Sequence, residues 1–386
     1  IWTEEAFTTI DEIKGTFREV DRMTEPMRVH LAQARCYAYI YSEQNQLDKA
    51  GIRMVYANLE TEDVRYFTEN WEWPVLKAWF DDLMERYYRW LSFQADWTEQ
   101  REASLKKLVF PYEYREGQRE LAAGVYRSIL RKKRLFIQAA TGVGKTLSAL
   151  FPALKAVGEG LGDKIFYLTA RTITRTVAAD TLDLLREQKM RVKSLVLTAK
   201  EKLCICQEVQ CDPDHCPRAK GHYDRINDAV YDLWTKGPDS CTREVILTQA
   251  EKYQVCPFEL SLDLSLWMDV IICDYNYVFD LNVYLKRFFG EGVKGEYLFL
   301  VDEAHNLVER GRDMYSAAVC KEEILEIRKL IRGKDPVLVK ALDRCNKYLL
   351  TLKRECESGY RRLEQAGGFV LPMQQLSGEL DRYLEQ

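Results

Sequence analysis

Short apolar runs alternate with longer amphipathic stretches through the middle of this chain. LFIQA (135–139), KIFYL (164–168), KSLVL (193–197), MDVIIC (268–273) and YLFLV (297–301) each read as a strand. TITRTVAADTLDLLREQ, after the second run, carries apolar residues at helical spacing, and a further helix is expected around 278–289. Strands bounded by helices predict a parallel, doubly wound α/β sheet. Residues 59–108 predict an amphipathic helical connector whose tryptophans Trp71, Trp73, Trp79, Trp90 and Trp97 pack inside rather than stack on bases. From 313 to 386 the charged, leucine-spaced sequence predicts helices alone.

The first run leads into ATGVGKT and a helix. In that setting successive backbone N–H groups and the helix N-terminus point at phosphate oxygens. Ala140, Thr141, Gly142, Val143 and Gly144 form the cradle, Lys145 reaches the β and γ phosphates, and the Thr146 hydroxyl ligates Mg²⁺. Ala139 stands where the usual G-x4-GK[ST] pattern has its first glycine, and the flanking strand and helix supply the context. The last run ends in VDEAH. A buried strand there would deliver Asp302 to Mg²⁺ through water, and Glu303 to the water that attacks the γ phosphate. Lys145 and Asp302 lie far apart in sequence, so residues 199–262 are expected to form a small domain extruded from the sheet.

Composition narrows the partners. At 386 residues, 30% charged and 47% hydrophobic, the chain should fold as a globular protein of several units. No apolar run approaches the roughly 20 residues of a membrane helix. IWTEEAF has neither the basic nor the apolar part of an export signal. A cytoplasmic (bacterial) location, no membrane partner and, with the oligomeric state open, a monomer are expected. A net charge of −4 offers no global attraction for nucleic acid and leaves that role to local patches such as RKKR (131–134).

Eleven cysteines without an export signal argue for a reducing compartment. Cys204, Cys211, Cys216 and Cys256 follow C-x6-C-x4-C-x39-C. Four thiolates can hold Zn²⁺ or a 4Fe–4S cluster, and the lack of paired knuckles on both sides fits a cluster better. Cys206 and Cys241 read as free thiols, and His215 and His222 as solvated loop histidines.

YREGQRE, ATGVGKT, the four-cysteine insertion, and DYNYVFD followed by VDEAHN together resemble the iron–sulfur helicases of superfamily two, the DinG/XPD type, over residues 109–320. The resemblance implies an ATP-dependent DNA helicase that translocates 5′-to-3′ on single-stranded DNA and opens forked DNA in repair or replication. ATP, Mg²⁺ and a 4Fe–4S cluster are its implied cofactors. By the same resemblance Gln118 senses adenine, while Lys145, Asp302, Glu303 and His305 serve hydrolysis. Thr169 and Arg171, with Tyr275, Asn276 and Tyr277, would meet the DNA, with core packing an equal alternative for Tyr277. The implied architecture is a RecA-like P-loop parallel sheet: helicase domain 1 in two parts (109–198 and 263–312), an Fe–S domain (199–262) and the start of a helical arch domain (313–386). The second motor domain would lie outside this fragment. The 386 residues alone should then bind ATP weakly and hydrolyse it poorly.

Upstream, IDEIKGTF places Glu12 and Lys14 on one face of a strand, and HLAQARCYAYIY places Gln33 and Tyr37 one helical turn apart. E-x-K followed by Q-x3-Y resembles the PD-(D/E)xK nucleases of the RecB family, implying metal-binding carboxylates and a lysine that activates water. Asp11 faces the wrong way to complete that site; with the missing carboxylate lying before Ile1, residues 1–58 are expected to be a truncated α/β nuclease-like remnant without activity, the alternative being a β-α-β piece used only for packing or DNA docking. Two other function classes compete. A redox-responsive DNA-binding ATPase without unwinding would not need Glu303, and a zinc-ribbon ATPase acting on proteins would hold zinc instead of iron and sulfide.

Overall fold

The computed structural model describes residues 1–4, 7–17, 19–140, 142–170, 172–206, 208–356 and 359–384. They divide into two compact units, 1–275 with 285–304, and 276–284 with 305–386.

The first unit opens with a sheet of β1 (Trp2–Glu4), β2 (Phe7–Thr16), β3 (Lys49–Asn58) and β4 (Val64–Glu72), in that order, parallel between β2 and β3 and otherwise antiparallel. A parallel pair needs a crossover, which α1 (Arg28–Asn45) supplies. Ala34 and Ala38 of this helix pack on Ile10, Ile52 and Met54 of the sheet. The strand β4 corrects the expectation that 59–108 is helical throughout. VRYFTENWE is rich in aromatic and β-branched residues and pairs with β3 from Lys49↔Glu72 to Ala57↔Val64. The N-terminal sheet therefore continues beyond residue 58, and Trp71 is a strand residue.

The helix α2 (Trp73–Lys107) is 35 residues long and joins two cores. Leu76 packs in the first, Leu105 in the second. Between them Trp90 lies against Trp267, Tyr231 and Trp234, with ring centroids 4.8, 4.9 and 5.7 Å away. Further along, the buried Asp269 carboxylate accepts from Trp97 Nε1 (3.0 Å), Arg101 (2.9 Å) and the Lys193 amide (2.7 Å). These tryptophans pack as the sequence predicts.

The second core surrounds a parallel sheet of β5 (Lys164–Leu168), β6 (Ser194–Val196), β7 (Ser240–Cys241), β8 (Val270–Cys273) and β9 (Tyr297–Val301), ordered β7-β6-β8-β5-β9. The helices α3 (Gln118–Leu130), α4 (Lys145–Gly158) and α5 (Thr172–Arg186) connect its first part. Leu150, Leu154 and Val157 of α4 and Leu182 and Leu185 of α5 pack on Ile165, Val270 and Ile272. The doubly wound parallel architecture is as expected, with local differences. LFIQA is not a strand: residues 133–140 carry no ladder, and Phe136 is 89% exposed. An apolar run makes a strand only if a neighbour takes up its backbone groups, and none does here among the described residues. The strand β9 is the sheet edge rather than a buried strand, which leaves Phe299 exposed.

The cysteine-bearing segment contains α6 (Lys200–Leu203), α7 (His222–Lys236), α8 (Arg243–Tyr253) and α9 (Pro257–Ser265). It is less extruded than expected. Midway it returns to the sheet as β7, paired with β6 through Ser194↔Ser240 and Leu195↔Cys241, and it belongs to the first unit. The helix expected at 278–289 is two single turns, α10 (Asn276–Phe279) in the second unit and α11 (Lys286–Phe289) in the first. Asp280 separates them, because its side chain caps the amides of Asn282 and Val283 and diverts the backbone from helix.

The second unit continues with α12 (Leu307–Met314), α13 (Lys321–Ile331), α14 (Pro336–Arg354) and α15 (Val370–Leu384). Leu338, Leu342 and Cys345 of α14 pack with Ile324, Ile331 and Leu376. Asp335 caps α14 by accepting from the amides of Val337 and Leu338, where Pro336 has no donor to satisfy. Among the described residues no helix is long and apolar enough to cross a membrane.

Candidate functional site

The phosphate-loop sequence does shape its backbone for an anion. Gly142 and Gly144 take φ of 85° and 76°, left-handed values that favour glycine, and α4 begins at Lys145 directly after them. Gly144 has a second reason to be glycine: a Cβ there would meet Gln118 Nε2 at 2.6 Å. Gln118 is buried at the start of α3, and its Oε1 accepts from the Arg115 amide at 3.0 Å. Arg115 also donates to the Gly142 carbonyl, tying the loop to YREGQ. A cavity of about 370 Å³ opens beside Gln118, lined by Leu121, Leu135, Ala140 and Val143. Thr141 lies outside the described residues.

The two distant motifs meet. Lys145 Nζ lies 3.1 Å from Glu303 Oε1, across 158 positions of sequence. The parallel ladder explains it. The strand β9 lies beside β5, and the Asp302 amide donates to the Leu168 carbonyl (2.9 Å) at their shared C-terminal end. Burial, then the neighbouring Glu303 charge, raise the Asp302 carboxyl above its ordinary value. A divalent cation would supply the positive charge that this setting calls for. Tyr167 joins the same group: its hydroxyl lies 3.5 Å from Thr146 Oγ1, and burial pushes its phenol far up. Sequence reasoning missed Tyr167 and Arg115, since an aromatic in an apolar run and an arginine ahead of a helix carry no distinguishing pattern. His305 belongs to the second unit.

The residues assigned to DNA fare differently. Thr169 is 1% exposed, its hydroxyl paired with that of Thr174, and Tyr275 is fully buried with its phenol on the carbonyls of Asp302 and Glu303. Neither offers surface for a phosphate or a base. Both sit at C-terminal ends of sheet strands, where side chains close over the core. Tyr277, in the second unit, is 7% exposed, so the packing alternative holds, while Asn276 in that unit is half-buried. Arg171 lies outside the described residues.

Cys204, Cys211, Cys216 and Cys256 all line one small cavity of about 20 Å³, closed by Pro257 and Phe258. The donor set and the shared cavity fit a metal group bound through thiolates. Among the described residues, though, no group of three or more His, Cys, Asp or Glu is already drawn in to hold a single ion. Cys206 is a free thiol, and its sulfur is 3.9 Å from that of Cys216. Burial of its sulfur, then hydrogen bonding to Cys216, push its thiol up to about 11. His222 departs from expectation. It is 6% exposed, and its Nδ1 faces the Cys256 amide at 3.4 Å, whereas His215 is solvated beside Asp212.

In the N-terminal sheet, β2 and α1 bring the four expected residues together. Lys14 Nζ lies 2.7 Å from Glu12 and donates to Gln33 Oε1 (3.0 Å), and Gln33 Nε2 donates to the Tyr37 hydroxyl (3.0 Å). Asp11, on the opposite face, is bound by Arg53. His30, one turn before Gln33, pairs with Tyr56 at 3.1 Å and was not singled out by the sequence.

Comparison with known families agrees with the motor motifs. The family described as DEAD_2 matches residues 169–324, and that described as DEAD/DEAH box helicase matches 119–216. The human "Regulator of telomere elongation helicase 1" is 24% identical over 250 residues, 51% of this chain and 20% of that protein. Its Caenorhabditis elegans homolog is 25% identical over 272 residues, 58% of this chain and 27% of that one. The chicken "Fanconi anemia group J protein homolog" is 27% identical over 86 residues, 22% of this chain and 7% of that one. The matched regions thus span about a quarter or less of these relatives. A solved "XPD_Helicase" overlaps with a TM-score of 0.45 at 17% identity, covering 70% of this chain and 46% of that one, too loosely to add weight. The two family matches together span residues 119–324, and the paired Lys145 and Glu303 lie within that span.

Proposed function

We propose that this chain is the first motor portion of an ATP-dependent DNA helicase that moves 5′-to-3′ on single-stranded DNA and opens forks. Lys145 held 3.1 Å from Glu303, within the span that the two helicase-family models match, carries this reading. ATP would seat its adenine by Gln118 and its phosphates on the loop, Lys145 would pass from Glu303 to the γ phosphate, and Glu303 would then be free to orient water. Mg²⁺ would lie between Thr146 and Asp302. Little bond-making falls to the protein, so positioning and charge neutralisation provide the rate.

Cys204, Cys211, Cys216 and Cys256 would hold a 4Fe–4S cluster, which when bound ties three separate segments of the insertion to one rigid point. Replacing Cys216 with Ser in the full-length protein should remove most of its iron and acid-labile sulfide. Anaerobically purified wild type should be brown. A colourless protein with stoichiometric zinc would overturn the cluster. Residues 313–386 would begin an arch-like helical domain, and the N-terminal sheet with its helix α1, bearing Glu12, Lys14, Gln33 and Tyr37, would be a nuclease-like remnant in which one carboxylate faces the lysine.

Strand displacement by the full-length protein tests the function. Forks with a single-stranded 5′ tail should open in the presence of ATP, and those with only a 3′ tail should not. ATP turnover on either substrate without displacement would favour a DNA-binding ATPase instead.

A further inference from the structure

We infer that Tyr275 is a positioning residue for ATP hydrolysis, acting through the backbone of the acidic pair; this rests on the proposed ATPase site. Tyr275 follows β8 and is fully buried, yet its hydroxyl is not spent on the core. It donates toward two consecutive main-chain carbonyls, those of Asp302 and of Glu303, the latter at 3.1 Å. Two successive carbonyls can share one donor only if the peptide between them turns. Glu303 makes that turn with φ of 49°, the left-handed region that a residue with a Cβ visits reluctantly.

The phenol thus holds the water-orienting glutamate in a backbone state that it would otherwise leave. It does so while touching neither nucleotide nor metal site directly. Lys145 acts on the side chain of Glu303, and Tyr275 acts on the main chain of Asp302 and Glu303. The placement adds a consequence. The chain leaves the first unit immediately after Tyr275 and again after Ala304, so the hydroxyl fastens together the two points at which the chain departs for the helical unit.

The test is Tyr275→Phe in the full-length protein, which keeps the ring in its buried place and deletes the donor. Turnover is normalised to sites that bind a fluorescent ATP analogue, so a partly unfolded preparation does not mimic the effect. The expected result is a fall in kcat of about tenfold with KM for ATP within a factor of two, the signature of an interaction lost in the reacting state. Added to Glu303→Gln, the substitution should lower kcat no further, since both act on one element. A kcat within twofold of wild type, a further multiplicative drop in the double variant, or loss of nucleotide binding would each overturn the inference. If wild type hydrolyses no ATP, it is the ATPase reading itself that fails.

Discussion

Lys145→Ala weakens ATP binding by at least about 100-fold, because it deletes the loop ammonium proposed to meet the triphosphate. Charged hydrogen bonds contribute roughly 1.5–3 kcal/mol each, and a lysine bridging two phosphates makes two of them. At 1.4 kcal/mol per factor of ten, that gives two to four orders of magnitude. The substitution also removes the ammonium that lies 3.1 Å from Glu303, whose charge already raises the neighbouring Asp302 carboxyl. Titration of the full-length protein with a fluorescent ATP analogue measures the loss. An affinity within fivefold of wild type would mean that the ammonium does not meet the phosphates.

Glu303→Gln has the opposite profile. Nucleotide affinity should stay within a few-fold of wild type, since the amide fills the same space and removes a charge that repels the γ phosphate. Hydrolysis should fall by about 10²–10⁴-fold, the range for a positioned group that manages the proton of the attacking nucleophile. Lys145 loses an ionic partner in the empty protein but keeps its phosphate role, so binding and turnover separate cleanly. A single-turnover assay with and without single-stranded DNA reads both. Equal losses in affinity and rate would show instead that Glu303 only supports the loop.

Much of this site was legible before the fold was known, for physical reasons specific to each residue. ATGVGKT constrains its own backbone, and Gly142 and Gly144 adopt the left-handed angles that such a loop needs. Glu12 and Lys14 share a face because they are two apart on a strand, and Gln33 and Tyr37 because they are four apart on a helix. Tyr275 shows where this kind of reading stops. A buried phenol and a base-stacking phenol have the same sequence signature, and only the ladder of β8 beside β5 reveals that its hydroxyl reaches Asp302 and Glu303.

The strand errors have a common source in pairing. Periodicity reports which residues prefer burial, not which neighbour is present to accept backbone hydrogen bonds. LFIQA reads as a strand and has no ladder, whereas VRYFTENWE was absorbed into a helical stretch although β3 pairs with it along its length. Cys206 reads as a free thiol, and the fold brings it close to Cys216, ten positions on, which spacing alone does not reveal.

The central claim is that Lys145, Thr146, Asp302 and Glu303 serve one nucleotide. A structure of the full-length protein with Mg²⁺ and a non-hydrolysable ATP analogue tests it most directly. The triphosphate is expected on the loop with Lys145 Nζ moved from Glu303 onto its β and γ oxygens, the metal between Thr146 and Asp302, and Glu303 facing the γ phosphorus. A nucleotide seated elsewhere, or one on the loop with the acidic pair turned away from it, would contradict the claim.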